Sequence, residues 1–245
     1  MFFNPFVPKD KASLAVIDGR ADEEIKDNLI GHGLKIIETC RCEELYDSIS
    51  YHPDIIMHPI TPRKVIVAPN VYDYYSDILP FYGIEVIKGE KKLDRNYPDN
   101  IAYNVARISR YAIHNTRYTD EKLKYYIKKQ GVDFINVNQG YTKCSLAIVS
   151  NTAVITSDLS IHKELIKHGI EVLIIKEGNI DLPGLNYGFI GGATGMFSKN
   201  ELFISGELGH HPNYIEIINF LKKYNVKPIF LSNHKIVDIG SIITF

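Results

Sequence analysis

The sequence predicts an α/β fold in which five ββαβ units form a five-bladed propeller, a ring that the C-terminal strand closes. Two observations predict it. A turn residue followed by a short apolar strand recurs at intervals of roughly 40 to 55 residues, and such a period is typical of solenoids and propellers. The five copies begin at Gly33, Gly83, Gly131, Gly169 and Asn225. The second observation is an unpaired strand at each end of the chain.

The first unit lacks one strand of the repeat. A strand over 13–18 leads directly into a helix over 21–32, with no hairpin partner before it. At the other end, residues 236–245 form a surplus strand with no helix after it. Pairing these two strands closes the ring and removes two exposed sheet edges.

Units two and three each consist of a hairpin, a helix and a third strand. In unit two we predict strands over 55–58, 64–68 and 84–87 and a helix over 71–82. In unit three we predict strands over 101–108, 111–113 and 132–137 and a helix over 121–130, capped near Thr119 and Asp120.

Units four and five repeat the same order. In unit four, strands over 144–149 and 153–156 flank a two-residue turn, and Asp158 is placed to cap a helix that Gly169 ends before a strand over 171–175. In unit five we predict strands over 187–190, 201–205 and 227–231 and a helix over 212–224.

Composition favours one soluble domain over residues 1–245. The chain is 45% apolar and 23% charged, and its segments rich in Gly, Pro and Asn, at 88–100 and 177–186, fall at unit boundaries rather than between separate cores. Its formal net charge is −1, so nothing global attracts nucleic acid or an anionic membrane. Oligomeric state does not follow from these features.

Three cysteines are too few for a disulfide framework, and an odd count without a signal peptide predicts a cytoplasmic protein. The apolar start, residues 1–9, contains two prolines and is expected to pack on the domain as a strap. No apolar run approaches the length that spans a membrane.

Short motifs support a resemblance to a known superfamily. The segments concerned are 138–145 (NQGYTKCS), 188–195 (GFIGGATG) and 237–243 (VDIGSII). Together with the five units they resemble the pentein superfamily of amidinotransferases, arginine and agmatine deiminases and dimethylargininases, in an uncharacterised bacterial branch. The resemblance implies a ligand pocket on the ring axis, a cysteine nucleophile near the C-terminus, a histidine at the fourth blade and carboxylates that hold a cationic substrate.

This chain departs from that pattern at both catalytic places. Where the enzymes have Gly-His-x-Asp at the fourth blade, it has a segment that includes Tyr141 and Lys143, and residues 241–244 contain no sulfur. We therefore expect the usual deiminase chemistry to be absent. An ammonium in place of a carboxylate favours a neutral or anionic ligand.

Cys144 is the one candidate nucleophile. Adjacent Lys143 could lower the pKa of its thiol, but successive strand residues face opposite ways, and free cysteines are often small core residues. The other candidate ligand-binding residues are polar or glycine residues expected near the axis: Asn104, Tyr141, Lys143, Asp158, Gly191, Gly192, His210, His211 and Asp238.

Each of these candidates has a structural alternative. The backbone N–H groups of Gly191 and Gly192 could hold an oxyanion, or the pair could belong to a wide hairpin turn. His210 and His211 suit a turn that leads into a helix, and Asp158 suits a helix cap. No metal-ligand spacing and no cofactor motif is present.

Three functional hypotheses follow. The first is a protein without deiminase chemistry that binds a small polar ligand on the axis. The second is a hydrolase or transferase with Cys144 as a relocated nucleophile. The third is a binding module without chemistry, which the resemblance extends to ribosome anti-association factors that share the propeller.

Overall fold

Five three-stranded sheets form the framework of the protein in a computed structural model that describes residues 4–245. The strands are β1 (Leu14–Ile17), β2 (Lys35–Glu38), β3 (Met57–Thr61), β4 (Lys64–Val67), β5 (Glu85–Lys88), β6 (Ala106–Ile108), β7 (Tyr111–His114), β8 (Asp133–Asn136), β9 (Ala147–Ile148), β10 (Ala153–Thr156), β11 (Glu171–Ile174), β12 (Thr194–Ser198), β13 (Glu201–Ile204), β14 (Lys227–Phe230) and β15 (Ile243–Thr244).

Seven α-helices are present in the described part of the chain. They are α1 (Glu23–Gly31), α2 (Pro53–Ile56), α3 (Tyr72–Ile78), α4 (Glu121–Lys129), α5 (Thr142–Ser145), α6 (Leu159–Leu165) and α7 (Tyr214–Lys223). Of these, α1, α3, α4, α6 and α7 connect the second and third strands of each sheet, whereas α2 and α5 are single turns that precede β3 and β9.

Every sheet has the same pairing, which confirms the ββαβ repeat. The middle strand pairs antiparallel with one neighbour and parallel with the strand that follows its helix. In the first sheet the antiparallel neighbour is β15, with Ala15 opposite Thr244 and Val16 opposite Ile243. The predicted pairing of the chain's two ends is therefore confirmed.

The helix α4 shows how local sequence sets the repeat. Asp120 caps it by accepting a 2.8 Å hydrogen bond from the backbone N–H of Leu123, and Lys128 and Lys129 lie in its last turn. Leu123 and Ile127, four residues apart, are its buried side chains. Gly131 then turns the chain into β8 with a φ of +72°, a conformation that favours glycine.

The predicted first strands of units two to five are misplaced or too long. In unit three, β6 begins at Ala106 rather than at residue 101. Residues 55–56 belong to α2 and residues 144–145 to α5, and the first strand of unit five is β12 rather than 187–190. Gly191 and Gly192 lie in a turn, but it is not the predicted hairpin turn, since it precedes β12, and Thr194 and Gly195 already pair with β13. Apolar residues in these stretches are buried because they approach the ring axis, and burial alone does not distinguish strand from turn.

The C-terminal strand is shorter than the predicted span of 236–245. Gly240 and Ser241 have φ values of +66° and +72°, which break the extended backbone before β15. This bend carries the Ser241 side chain into the interior, where it is fully buried.

The N-terminal strap was predicted over residues 1–9, and its described part packs on the domain. Asn4 donates a 2.9 Å hydrogen bond to the backbone carbonyl of Arg107, and Phe6 is part of an apolar cluster with β6 and β9. Residues 1–3 lie outside the described part. None of the helices within 4–245 is long and apolar enough to cross a bilayer.

Candidate functional site

The segments that lead into the first strands of units two to five, and into β15, meet in the middle of the molecule. They bring together Asp54 from α2, Asn104 from the loop before β6, Cys144 from α5, and Asp238 and Ser241 from the C-terminal segment. All five side chains are buried. The repeat explains this convergence, because equivalent positions of blades around one axis face the same centre.

The thiol of Cys144 lies against a carboxylate. Its Sγ atom is 3.2 Å from both carboxylate oxygens of Asp54 and accepts a hydrogen bond from Nδ2 of Asn104 at 3.1 Å. Burial raises the pKa of the Cys144 thiol well above its usual range, and the charges of Asp54 and Asp238 raise it further. At neutral pH the sulfur is therefore a protonated thiol that donates to Asp54.

Lys143 points away from the thiol. Its Nζ atom donates to Oγ of Ser241 at 2.7 Å and to the carbonyl of Gly191 at 3.2 Å, and it lies 5.3 Å from the ring centre of Phe6. Burial lowers the pKa of the ammonium, and Asp54 opposes that shift. The hydroxyl of Ser241 in turn donates to Oδ2 of Asp54, so a buried chain of hydrogen bonds joins Lys143 to Asp54.

Asp238 is held by backbone donors. Its carboxylate accepts hydrogen bonds from the N–H groups of Phe189, at 2.8 Å, and Gly240, at 2.9 Å. Burial raises the pKa of this carboxyl group, although nearby His52 opposes the shift. A Cβ atom at Gly192 would lie 2.0 Å from Oδ1 of Asp238, so only glycine leaves room for the carboxylate there.

His52 stands between two carboxylates without a hydrogen bond to either. Its Nε2 atom is 3.8 Å from Oδ2 of Asp18, and its Nδ1 atom is 3.9 Å from Oδ1 of Asp238. Both distances exceed hydrogen-bond range, and Nδ1 is buried without a partner. His52, Asp54 and Cys144 each have one potential metal-ligand atom here, and these three atoms lie within 4.8 Å of one another.

A cavity of about 300 Å³ opens onto this cluster. It is lined by Tyr46, Ile49, His52, Tyr141, Cys144, Leu182, Leu185, Asn186, Tyr187, Phe189 and Asp238. A second cavity of about 610 Å³ is also lined by His52 and Asp238, together with residues that include Asp18, Arg20 and Lys235. Burial raises the pKa of the Tyr141 phenol, which donates a 2.9 Å hydrogen bond to Asn100 and faces the first cavity as a neutral group.

The structure brings some predicted site residues together and separates others. Tyr141, Cys144 and Asp238 line the first cavity, with Asn104 behind the sulfur. Lys143 does not line it, and the N–H of Gly192 donates to the carbonyl of Cys144, so that N–H does not face a ligand.

Three predicted residues lie away from the cluster and have structural roles or exposed positions. Asp158 caps α6 through the N–H groups of Ser160 and Ile161. His211 accepts a hydrogen bond from the N–H of Asn213 in the turn before α7, and His210 is exposed there. None of the three lines either cavity.

Sequence reasoning missed His52, Asp54 and the hydrogen-bonding role of Ser241. His52 and Asp54 flank Pro53 just before a predicted strand, and a polar pair around a proline is an ordinary turn signal. This segment is equivalent to residues 142–145 of unit four, because both lead into the first strand of their unit. Only that equivalence could have indicated a position near the axis.

Comparisons with solved structures identify the fold. The chain is similar to SxtG, an amidinotransferase from Microseira wollei, with a TM-score of 0.61 and 11% identity over 94% of this chain and 91% of that one. It is similar to DDAH from Pseudomonas aeruginosa, with a TM-score of 0.59 and 10% identity over 91% and 93% of the two chains. It is also similar to agmatine deiminase from C. jejuni, with a TM-score of 0.56 and 11% identity over 94% of this chain and 89% of that one.

These similarities confirm the pentein α/β fold predicted from the repeat. At sequence level, a model described as Family of unknown function (DUF6873) matches residues 16–243. No curated protein matches the sequence.

Proposed function

We propose for this chain, which belongs to the Family of unknown function (DUF6873), that the 300 Å³ cavity binds a small polar nitrogen compound, neutral or cationic, such as an amine, amidine or guanidine. The observation that carries the proposal is the composition of the cavity wall. The wall combines aromatic rings with the buried carboxylate of Asp238 and the thiol of Cys144.

The charges around the cavity favour this class of ligand. Among the residues that line it, within the described part of the chain, none is Lys or Arg. The expectation of an anionic ligand depended on Lys143, whose ammonium is instead engaged by Ser241 and Gly191. A cation over aromatic faces and near a desolvated carboxylate gains both cation–π and charge-assisted interactions.

The shape of the site and the structural neighbours agree with the proposal. A concave, largely apolar pocket with a few convergent polar groups is typical of small-molecule sites, and it disfavours a smooth docking surface. Two of the similar structures are an amidinotransferase and an agmatine deiminase. Their fold, with low identity, makes the guanidine class a reasonable starting panel for this chain.

Binding is tested by calorimetry in the presence of a chelator, with agmatine, arginine and putrescine as cationic probes and citrate as the anionic one. We expect a cationic probe to bind and citrate not to bind. Asp238→Asn removes the negative charge with little change of shape, and we expect affinity to fall about tenfold or more, since a hydrogen bond to a charged group contributes about 1.5–3 kcal/mol. His210→Ala, at an exposed position, is the matched control. Binding of citrate alone, or equal affinity in Asp238→Asn, would refute the proposal.

The usual deiminase reaction is expected to be absent, because residues 241–244 contain no sulfur and Tyr141 stands in the segment where the enzymes have their histidine. Incubation with arginine, agmatine and methylated arginines tests this. Formation of ureido products at an enzymatic rate would contradict it.

A second candidate function, a hydrolase or transferase reaction at Cys144, is favoured by one observation. The sulfur lines the cavity and lies within 4.8 Å of a nitrogen of His52, with Asp54 in contact to accept its proton. Attack of the resulting thiolate on an amidine carbon would form a C–S bond and expel an amine that leaves with that proton. Water would then release the product and restore the thiol.

A haloacetamidine, which alkylates a thiolate with loss of halide, tests this second function. We expect mass spectrometry to find the label on Cys144 sooner than with neutral iodoacetamide, because the cationic probe is attracted by Asp54 and Asp238. Labelling confined to half-buried Cys40 would exclude Cys144 as the nucleophile.

A further inference from the structure

The three side chains His52, Asp54 and Cys144 supply one nitrogen, one oxygen and one sulfur donor at the inner end of the cavity. Their donor atoms lie within 4.8 Å of one another, and all three residues are buried. We propose that they form a binding site for one divalent cation of the Zn²⁺ type, with a fourth coordination position open to the 300 Å³ cavity. This inference does not depend on the organic ligand proposed above.

The histidine gives an independent indication. A buried imidazole nitrogen normally has a hydrogen-bond partner, yet Nδ1 of His52 has none, and both neighbouring carboxylates are 3.8 Å or more from the ring. A ring that is 1% exposed and held at this distance from its neighbours is explained by a ligand that the protein atoms do not supply. A metal ion satisfies a neutral imidazole nitrogen directly.

The donor set determines the class of metal. Thiolate, imidazole and carboxylate together are ligands that Zn²⁺ takes, whereas Mg²⁺ and Ca²⁺ take oxygen donors. Catalytic zinc sites have three protein ligands and leave the fourth position to water or substrate. Cys144 and His52 both line the cavity, so the free position would face it.

Charge and atom balance are satisfied. The cation takes the place of the proton that Cys144 now donates to Asp54, and that proton leaves to solvent. One thiolate and one carboxylate then neutralise the two positive charges. The thiol lies 3.2 Å from both oxygens of Asp54; once it has lost its proton, Oδ2 keeps its hydrogen bond from Ser241 and Oδ1 becomes available to the metal.

Groups around the three donors match the support that metal sites usually have. Nδ2 of Asn104 donates to the sulfur at 3.1 Å, an interaction that stabilises a thiolate ligand. Oδ2 of Asp18 lies 3.8 Å from Nε2 of His52, so a small shift of the ring would bring the two into hydrogen-bond contact, and Asp18 is itself fixed by Arg20 at 2.7 Å. A carboxylate behind a metal-bound histidine orients the ring and raises its basicity.

Cobalt(II) is the probe, because a thiolate ligand gives it a charge-transfer absorption band. Purified full-length protein, freed of metal by a chelator that is then removed, is titrated with Co²⁺ and afterwards with Zn²⁺. We expect a band that saturates at one Co²⁺ per chain and disappears when Zn²⁺ displaces it. Mg²⁺ at the same concentration should not affect the band.

Variants assign the ligands. Cys144→Ser should abolish the band, and His52→Gln and Asp54→Asn should each weaken Co²⁺ binding at least tenfold. Cys42→Ser is the matched control, since Cys42 is also buried but its sulfur contacts Glu44 instead. If Cys144→Ser does not fold, the Co²⁺ titrations of the wild type and of His52→Gln still test whether the metal site exists. Absence of a stoichiometric band in the wild type, or its loss in Cys42→Ser with retention in His52→Gln, would overturn the metal site.

Discussion

The hydroxyl of Ser241 connects two buried charged groups, and its removal should have a large effect on stability. It accepts a 2.7 Å hydrogen bond from the ammonium of Lys143 and donates to the carboxylate of Asp54, and the residue is fully buried. In Ser241→Ala the ammonium keeps only the carbonyl of Gly191 as a hydrogen-bond acceptor, and Oδ2 of Asp54 keeps only the weak thiol donor of Cys144. Neither group can turn to solvent.

The size of the effect follows from these two contacts. Each hydrogen bond to a charged group contributes about 1.5–3 kcal/mol, so the loss of two in Ser241→Ala should lower the free energy of unfolding by about 3–6 kcal/mol. For a domain of this size, 1 kcal/mol corresponds to about 2–4 °C in Tm, so the expected decrease is about 10 °C. Urea unfolding and calorimetry measure both quantities.

A second substitution separates the effect of losing the hydroxyl from the effect of the backbone conformation. Ser241 has a φ of +72°, which costs a residue with a Cβ atom about 1 kcal/mol relative to glycine. Ser241→Gly loses the same hydrogen bonds as Ser241→Ala, so it should be about 1 kcal/mol more stable than that variant. Ser76→Ala, which removes a peripheral hydroxyl from α3, is the control and should change stability by less than about 0.5 kcal/mol. If Ser241→Ala unfolds within about 1 kcal/mol of wild type, the reasoning is wrong.

Two further predictions concern the core. Burial lowers the pKa of His114 to about 4, with the backbone carbonyl of Gly140 opposing the shift and the charges of Lys124 and Lys91 adding to it. The unfolded state therefore binds more protons between pH 6.5 and 4, so His114 destabilises the fold by up to about 3 kcal/mol as pH falls through that range. His114→Gln should flatten this part of the pH profile of unfolding, and an unchanged slope would contradict the assignment. Gly192→Ala should displace the Asp238 carboxylate and reduce ligand affinity in calorimetry, whereas equal affinity would show that the carboxylate is not needed there.

The sequence alone determined the repeat, because periodicity is a local property. Turn glycines such as Gly131 and Gly169 have positive φ values, and caps such as Asp120 and Asp158 act within their own helices. The closing strand was predictable for a similar reason, since a unit that lacks a strand requires a partner from elsewhere in the chain. The structure confirms this prediction, because β15 pairs with β1 in the place of the strand that the first unit lacks.

Only the tertiary structure decided the contents of the site. Asp54 and Ser241 are 187 residues apart in sequence, and the chain carries no local signal that one would donate to the other. The side chain of Lys143 was expected at the ligand, yet α5 turns it towards Ser241 and turns neighbouring Cys144 towards Asp54. The direction in which a side chain points relative to the ring axis depends on how the five blades pack together. The pattern of apolar residues in a single unit does not contain that information.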